Sequence, residues 1–367
     1  MSIKSPPNLD DIKPLNSSEE EPAIEDKNKD EDELEKTSWI APEFDSMELC
    51  AKLSRELNGS GTQLDQYNLY LDPQSALDWE AVSSNESYIT AQNDIPLDRA
   101  IVLIQEEIEA KKYLDQNSLD IIALGPGSAR IEVSLVKKLL RDTKISKIRL
   151  YLVDISQPLL ASAGKYARRM LRSEKNVKIT ECYADFYNLH QYSKLVNISR
   201  KAQRMALVTM FGYTFGNLKN ELSFLKTNLM HFSKDTLLLM DVGIAATTAD
   251  DDEQIRKKEP WLNGELKWQD AIQRWVLGPI RRYRHDIKAT DEIKFTAQLD
   301  DSRRVIPGSY CVEILATLPD GVTFSVLYTK RYTPNLLIRT MGANSWTSVD
   351  GWPFGNNTIL FLFRKEE

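Results

Sequence analysis

The chain has 367 residues, of which 42% are hydrophobic, and a formal net charge of −7. This length and composition are typical of a globular protein of about two domains, and they exclude a collagen-like or wholly disordered chain. Residues 1–37 hold five lysines and twelve acidic residues, so this segment accounts for the whole net charge. We therefore predict a disordered acidic tail over residues 1–38, with an acidic partner-binding arm as the alternative.

The remaining bulk features limit the possible partners and compartments. The three cysteines and three histidines show none of the spacings of a metal site, so we expect no metal and a reducing compartment. No apolar stretch approaches the roughly 18 residues of a membrane span, and no leader segment is evident, so a cytoplasmic protein without a membrane partner is expected. Residues 281–285 form one basic cluster in a body that is otherwise neutral. A single cluster of this kind is more often a solvated helix face, so we expect no nucleic-acid partner.

Residues 39 to about 100 predict a mixture of helix and loop, and residues 99–113 predict a helix with apolar residues at helical spacing. Strands and helices then alternate with short connections. The predicted strands are 120–124, 148–153, 177–181, 205–211 and 235–241, and the predicted helices are 131–142, 157–172, 188–200 and 219–231. Such alternation predicts an α/β fold in which helices cover a parallel sheet.

The first strand of this series runs into the turn Gly125-Pro126-Gly127, after which a helix begins. Glycines lack the Cβ atoms that would hold a ligand away from the backbone, and the start of a helix offers N–H groups without partners. A dinucleotide fingerprint requires a third glycine three residues later, where this chain has Arg130. The turn therefore favours S-adenosylmethionine over NAD, although a tight turn without a ligand would also explain it.

The next three predicted strands end in residues that suit the same kind of ligand. Asp154 ends the second strand, where a carboxylate accepts hydrogen bonds from ribose hydroxyls. Asp185 and Phe186 follow the third strand, where a carboxylate and a ring suit an adenine base. Asn217 follows the fourth strand. Each residue alone could be a helix cap or a core side chain, but the four consecutive strand ends together favour a ligand site.

Residues 246–330 interrupt the alternation with an acidic run and a helical stretch through Trp275. Further strands are predicted at 293–299, 309–316, 322–330 and 358–364, the last as an antiparallel partner in the main sheet. Residues 39–99 could form a lid or a packed layer, and the insertion at 246–330 could cap the cofactor face of a core formed by residues 100–245 and 331–367.

Four segments of the core resemble the histidine-specific methyltransferase family, whose best-known member trimethylates the α-amino group of histidine in ergothioneine biosynthesis. The segments read LGPGSARIE, YLVDIS, ADFYNL and LVTMFGYTFGNLKNELSFL. The likeness covers about residues 100–245, is specific in FGYTFGNL, and has a weaker echo at residues 328–332. It implies an S-adenosylmethionine-dependent N-methyltransferase with a Rossmann-like class I methyltransferase sheet and a second, smaller α+β substrate domain.

The resemblance also implies roles for individual residues. The implied cofactor-binding residues are Gly125, Gly127, Asp154, Asp185 and Phe186. Asn217 is implied to hold the backbone of an amino-acid acceptor. Tyr213 and Tyr88 are candidates to accept a hydrogen bond from the acceptor amine, with packing as the alternative for both.

Two departures from the family concern the acceptor. The amino-terminal aromatic motif of the family has only a faint copy at residues 85–88. Alignment on Lys330 places Val326 and Tyr328 where members that take histidine present a glutamate and a serine to the imidazole. A valine cannot pair with an imidazole N–H, and a phenol does so only weakly. This difference makes histidine a doubtful acceptor and favours a more apolar amine.

Methyl transfer is an in-line displacement that demands alignment and a neutral nucleophile more than an acid–base pair. An α-amino group with a pKa of about 7.7–8.0 is partly neutral at physiological pH, so no strong base is required. The favoured hypothesis is therefore a methyltransferase acting on an amino acid or related small amine. The alternatives are a methyltransferase acting on a peptide or protein, and a non-catalytic methyltransferase-like binding subunit, which would not need Gly125, Asp154 and Asn217 together.

Overall fold

The computed structural model describes residues 38–40, 46–58, 64–71, 73–191, 203–245, 252–259, 262, 270–284, 286–288, 292–355 and 357–366. The predicted tail lies outside these residues except for Ser38, and the side chain of Tyr88 is also outside them. No helix within the described ranges is long and apolar enough to cross a membrane.

The strands of the described residues belong to two sheets. In chain order they are β1 (Ser38–Ile40), β2 (Ser118–Leu124), β3 (Lys147–Asp154), β4 (Val177–Tyr183), β5 (Met205–Met210), β6 (Thr236–Gly243), β7 (Lys294–Leu299), β8 (Tyr310–Thr317), β9 (Thr323–Arg331), β10 (Trp346–Phe354) and β11 (Thr358–Lys365). The large sheet has the order β1-β4-β3-β2-β5-β6-β11-β10, and the small sheet has the order β7-β8-β9.

Ten α-helices are found in the same part of the chain. They are α1 (Ser46–Asn58), α2 (Pro73–Ser83), α3 (Glu86–Asn93), α4 (Leu97–Ala110), α5 (Arg130–Asp142), α6 (Gln157–Met170), α7 (Glu221–Thr227), α8 (Asp252–Lys258), α9 (Asp270–Tyr283) and α10 (Pro334–Gly342). The stripe of buried apolar residues along α5 explains why this segment forms a helix that packs on the sheet.

Strand β2 lies near the middle of the large sheet, and all seven of its residues are buried. Its two parallel neighbours are β3 on one side and β5 on the other. The chain therefore passes from β2 outward through β3 and β4, and then returns to the opposite side of β2 as β5 and β6. Such a reversal of strand order creates a crevice at the carboxyl ends of the strands, where ligands of open α/β sheets bind.

The predicted fold class is confirmed, because a mostly parallel Rossmann-like sheet is accompanied by a separate antiparallel sheet. The predicted strand at 358–364 is β11, and it pairs antiparallel with both β6 and β10. Strands β1 and β10 were not predicted. The helix predicted at 219–231 is shorter than expected, since α7 ends at Thr227 and a 3-10 turn follows.

The helix predicted at 188–200 is also different in its described part. A 3-10 segment runs over Phe186–Gln191, and residues 192–200 lie outside the described ranges. The backbone at Asn188 is not helical, which interrupts this segment. The sequence pattern therefore placed a continuous helix where the described chain forms a short, kinked turn.

The two largest buried apolar clusters among the described residues pack on the two sheets. The larger cluster packs α4, α5 and α6 against the large sheet and includes Ile104, Val136 and Ala163. The second cluster joins α1 and α9 to the small sheet, and it includes Leu53, Trp275 and Phe324. The second cluster thus unites residues from before β2 with residues from after β6.

Candidate functional site

A cavity of about 580 Å³ opens at the carboxyl ends of the central strands of the large sheet. This volume lies within the range of about 300–1,000 Å³ that is usual for small-molecule sites. Seven of the predicted site residues line it, namely Gly125, Gly127, Asp154, Asp185, Phe186, Tyr213 and Asn217. The structure therefore brings together the ends of β2, β3, β4 and β5 as the sequence predicted.

The turn after β2 is built from two glycines with left-handed backbone conformation. Gly125 has a φ of +63° and Gly127 a φ of +53°, a region that other residues rarely adopt. The N–H of Gly125 donates to the carbonyl of Val153 at 2.9 Å, which ties the turn to β3. A Cβ atom on Gly125 would lie 3.4 Å from the ring of Phe186. Both glycines thus present bare backbone to the cavity.

Asp154 is the last residue of β3, and it is only 6% exposed. Its Oδ1 accepts a hydrogen bond from the N–H of Ser156 at 2.8 Å, which orients the carboxylate. Burial raises the pKa of Asp154 to about 7. A carboxylate in this position is suited to accept from neutral hydroxyl groups, which lower the cost of its burial.

Asp185 and Phe186 follow β4 on the same side of the cavity. The Asp185 carboxylate accepts from the N–H of Tyr187 at 2.9 Å and from the amide of Asn188 at 3.2 Å, so it closes the local turn. Burial raises its pKa above the ordinary value. The ring of Phe186 stacks on Tyr187 with centroids 5.5 Å apart. Asp185 thus has the capping role that the sequence left open, and it also faces the cavity.

The loop after β5 contains Gly212 and Tyr213, both with positive φ. The N–H of Tyr213 donates to Oδ2 of Asp241 at 3.3 Å, which holds this unusual turn. The hydroxyl of Tyr213 is 2.7 Å from that of Thr358 on β11. The phenol therefore already has a hydrogen-bond partner, and a ligand amine would have to share it.

Asn217 lies at the end of a 3-10 turn over Phe215–Asn217 and borders the cavity. The sequence left open whether Asn217 caps the next helix. The structure assigns the cap of α7 to Asn220, whose Oδ1 accepts from the N–H of Ser223 at 2.8 Å. The side-chain amide of Asn217 makes no hydrogen bond with the described residues, so it is available to a ligand.

A buried ion pair holds the loop of Asn217 against β9. The ammonium of Lys330 contacts the carboxylate of Glu221, and both side chains are completely buried. Lys330 also donates to the carbonyl of Leu218 at 2.7 Å, and the hydroxyl of Tyr332 donates to Glu221 at 2.6 Å. These contacts hold the loop in place, and neither Lys330 nor Glu221 lines the cavity.

Three aromatic side chains of the site were not predicted. Tyr70, Trp79 and Trp275 all line the cavity, with ring centroids 4.7–5.6 Å apart. The hydroxyl of Ser156 donates to the backbone carbonyl of Tyr70, and the indole nitrogen of Trp79 lies near Gly127. These residues come from α2, α9 and the segment before α2, where the sequence showed aromatic residues without a pattern that placed them.

The two residues of β9 expected near the acceptor differ in their positions relative to the cavity. Val326 is buried in the apolar cluster of the small sheet and is not part of the cavity wall. Tyr328 borders the cavity, but the Arg303 guanidinium lies 3.9 Å from the centre of its ring. Leu327 and Thr329 also line this side of the cavity.

Two buried carboxyl groups were also missed. Glu132 lies in the first turn of α5 and lines the cavity, and Asp241 lies near the end of β6. A carboxylate within the apolar pattern around Ile131 and Val133 was a signal for Glu132. Asp241 ends the fifth predicted strand, 235–241, and this position was the signal for it.

No group of three or more His, Cys, Asp or Glu side chains in the described ranges is arranged to hold a metal ion.

The sequence matches no family model and no curated protein sequence. Solved structures with a similar fold include the CcbJ methyltransferase from Streptomyces caelestis, at 11% identity and a TM-score of 0.37, covering 72% of this chain and 90% of that one. The sugar N-methyltransferase KedS8 from Streptoalloteichus is similar at 10% identity and a TM-score of 0.36, with 79% and 93% covered.

A third similar structure is the Burkholderia thailandensis 1,6-didemethyltoxoflavin-N1-methyltransferase with bound 1,6-didemethyltoxoflavin and S-adenosylhomocysteine. The identity is 10% and the TM-score is 0.37, with 80% of this chain and 88% of that chain covered. Likenesses of this size concern the fold alone.

Proposed function

We propose that the protein is an S-adenosylmethionine-dependent methyltransferase that acts on an amine of an amino acid or related small molecule. The observation that carries the proposal is the meeting of three adjacent strand ends in one cavity. Gly125 and Gly127 follow β2, Asp154 ends β3, and Asp185 and Phe186 follow β4. A structural scaffold would have no need to combine bare backbone, a buried carboxylate and an aromatic ring at a topological switch point.

The residues present fit this cofactor. Asp154 would accept hydrogen bonds from the ribose hydroxyls, and Asp185 would accept from the adenine amino group. Phe186 would cover the base. The turn at Gly125 and Gly127 would let the ligand approach the backbone, which any Cβ atom would obstruct. Arg130 in place of the third glycine agrees with a ligand that has no pyrophosphate.

When bound, S-adenosylmethionine supplies a reactive methyl group on a positively charged sulfur. The chain contributes alignment and exclusion of water, which are the main demands of such a displacement. The amide of Asn217 would orient the acceptor, and the phenol of Tyr213 is the candidate to accept a hydrogen bond from its amine. Tyr213 is held for this role by Thr358 and by Asp241.

The acceptor is proposed to be a more apolar amine than histidine. Leu327 and the aromatic residues Tyr70 and Trp79 are among the residues that line the cavity. Val326 does not line the cavity and cannot pair with an imidazole N–H, and the Arg303 guanidinium covers a face of the Tyr328 ring. We therefore propose the relation to the histidine-specific family for the cofactor-binding core only, and not for the acceptor site.

We also propose that residues 39–99 and 246–330 form the substrate domain. The apolar cluster that joins Leu53 of the first segment to Trp275 of the second supports this division, because a shared core is what makes two segments one folding unit.

Mass spectrometry of a panel of amino acids and small amines, incubated with the full chain and S-adenosylmethionine, tests the proposal. We expect a mass increase of one or more methyl groups on an apolar or aromatic amine, and none on histidine. Methylated histidine would contradict the proposed acceptor class. Methyl transfer only to proteins of a lysate would favour the peptide or protein alternative, and no transfer to any acceptor would favour a binding subunit.

A further inference from the structure

Eight acidic residues in the described part of the chain have buried side chains, and five of them pair with a lysine or arginine. The paired residues are Asp78 with Arg274, Asp120 with Arg204, Glu221 with Lys330, Asp235 with Lys111, and Glu313 with Arg303. The three without a cationic partner among the described residues are Glu132, Asp154 and Asp241. All three lie at the cavity or next to it, and the proposed function uses only Asp154.

Burial raises the pKa of Glu132, and Asp241 lies close enough for its charge to raise that pKa further. Glu132 is 2% exposed and lines the cavity, and the described residues offer its carboxylate only its own backbone N–H. Asp241 is 3% exposed, and its Oδ1 has no hydrogen-bond partner in the described part of the chain. Two neighbouring buried carboxyl groups without a cation are costly, so a positive ligand group would be strongly favoured there.

The strand order separates Asp241 from the residues that are proposed to bind the nucleoside part of the cofactor. Asp154 and Asp185 lie on the β3 and β4 side of the central strand, whereas Asp241 lies on β6, beyond β5. Asp241 also accepts from the N–H of Tyr213, in the loop that leads to Asn217. A ligand group next to Glu132 and Asp241 would therefore belong to the part of the ligands beyond the ribose.

We propose that Glu132 and Asp241 form a subsite for a protonated amino group of a bound ligand. The inference rests on the proposed function, since it takes Asp154 as the ribose acceptor. Two ligands of a methyltransferase carry such a group: the amino-acid end of S-adenosylmethionine and the acceptor amine. Both bind as alkylammonium ions, and either would supply the positive charge that the pair lacks. An acceptor amine held there would pass its proton to a carboxylate of the pair before methyl transfer, which needs a neutral nucleophile.

Calorimetry with the full-length chain tests the subsite with four compounds. S-adenosylhomocysteine carries the ammonium and a neutral sulfur, methylthioadenosine lacks the amino-acid end, and 2-phenylethylamine with its neutral analogue 2-phenylethanol represents the acceptor. The variants are Glu132→Gln and Asp241→Asn. Asp120→Asn is the control, because Asp120 is a buried carboxylate in the amino-terminal half of β2, whose carboxyl end borders the cavity.

If the subsite holds the cofactor, both variants bind S-adenosylhomocysteine at least about tenfold more weakly than the wild type and bind methylthioadenosine unchanged, which also shows that they are folded. If it holds the acceptor, only binding of 2-phenylethylamine to the S-adenosylhomocysteine complex falls by that factor, and 2-phenylethanol is unaffected. Unchanged binding of all probes, or an equal loss in Asp120→Asn, would overturn the subsite. A wild-type chain that binds neither adenosine compound would instead contradict the proposed function itself, and the subsite with it.

Discussion

The ammonium of Lys330 and the carboxylate of Glu221 form an ion pair in which both side chains are completely buried. The pair connects β9 to the first turn of α7, four residues after Asn217. Removing one member of such a pair leaves an uncompensated charge in the interior, which typically costs about 3–5 kcal/mol. The contact therefore couples the stability of the fold to the position of the loop that faces the acceptor.

Replacing Lys330 with methionine should lower the free energy of unfolding by about 3–5 kcal/mol, because Glu221 is left buried without the ammonium that neutralises it, with the hydroxyl of Tyr332 and its own backbone N–H as donors. Urea denaturation measures this loss. The double variant Lys330→Met/Glu221→Gln should recover part of it, since no charge then remains. A loss below about 1 kcal/mol in the single variant would show that the pair is not buried as described.

Asn217→Ala should raise the KM for the acceptor by about tenfold, the loss expected for one hydrogen bond, while the Kd for S-adenosylmethionine stays constant. Asn220→Ala is the matched control: it removes the cap of α7 and should cost about 1 kcal/mol of stability without changing that KM. Steady-state kinetics and thermal unfolding of both variants check the assignment. An unchanged KM in Asn217→Ala would assign the residue to packing.

Gly127→Ala and Gly355→Ala should lose similar stability but differ in cofactor binding. Both glycines have a φ of +53°, so alanine pays the same conformational penalty of roughly 1–2 kcal/mol at either position. Only Gly127 borders the cavity, where the added methyl group would keep a ligand away from the backbone. Calorimetric titration with S-adenosylmethionine should show weaker binding for Gly127→Ala alone, and equal affinities would exclude the turn from the site.

The unliganded protein should become less stable as the pH rises from about 4 to about 8. Burial raises the pKa of Glu132 to about 8, with a further contribution from Asp241, whose own pKa burial raises to about 7. A carboxyl with a raised pKa binds its proton more tightly in the folded state. The stabilisation from this tighter proton binding is therefore complete below the pKa that the carboxyl has in the unfolded state, which is about 4. It falls by up to about 1.4 kcal/mol per pH unit as the pH rises.

Denaturation of Glu132→Gln at several pH values checks this sign. At pH 9 the variant should be more stable than the wild type by at least about 1 kcal/mol, and at pH 4 the two should be similar. The exposed residue Glu106 provides the control, since Glu106→Gln should leave the pH dependence unaltered. A wild type that gains stability between pH 5 and pH 8 relative to Glu132→Gln would contradict the burial of this carboxyl.

The parts of the site that the sequence predicted are those that depend on local rules. Apolar strands that end in Gly125, Asp154 and Asp185 meet because the carboxyl ends of parallel strands share one edge of a sheet. Strand periodicity likewise predicted β11, although its antiparallel pairing with β6 rests on long-range contacts.

The parts that were missed depend on contacts between distant segments. Trp79 and Trp275 are separated by nearly 200 positions in the sequence, yet their rings lie 4.7 Å apart. Val326 was aligned on a neighbouring lysine and assigned to the acceptor, but its side chain packs into the second apolar cluster. Local patterns carry no information about which face of β9 meets the cavity, since that depends on how the small sheet packs.

The proposed cofactor site requires that the chain binds S-adenosylmethionine and that the Asp154 carboxylate accepts hydrogen bonds from its ribose. Calorimetry at pH 8 with the full chain and with Asp154→Asn tests both requirements. At this pH the carboxylate of Asp154 is mainly ionised, because its pKa is about 7. We expect the wild type to bind one equivalent, and the variant to bind about 10- to 100-fold more weakly, as hydrogen bonds to a charged group contribute about 1.5–3 kcal/mol. A wild type that does not bind, or a variant that binds as tightly as the wild type, would contradict the account.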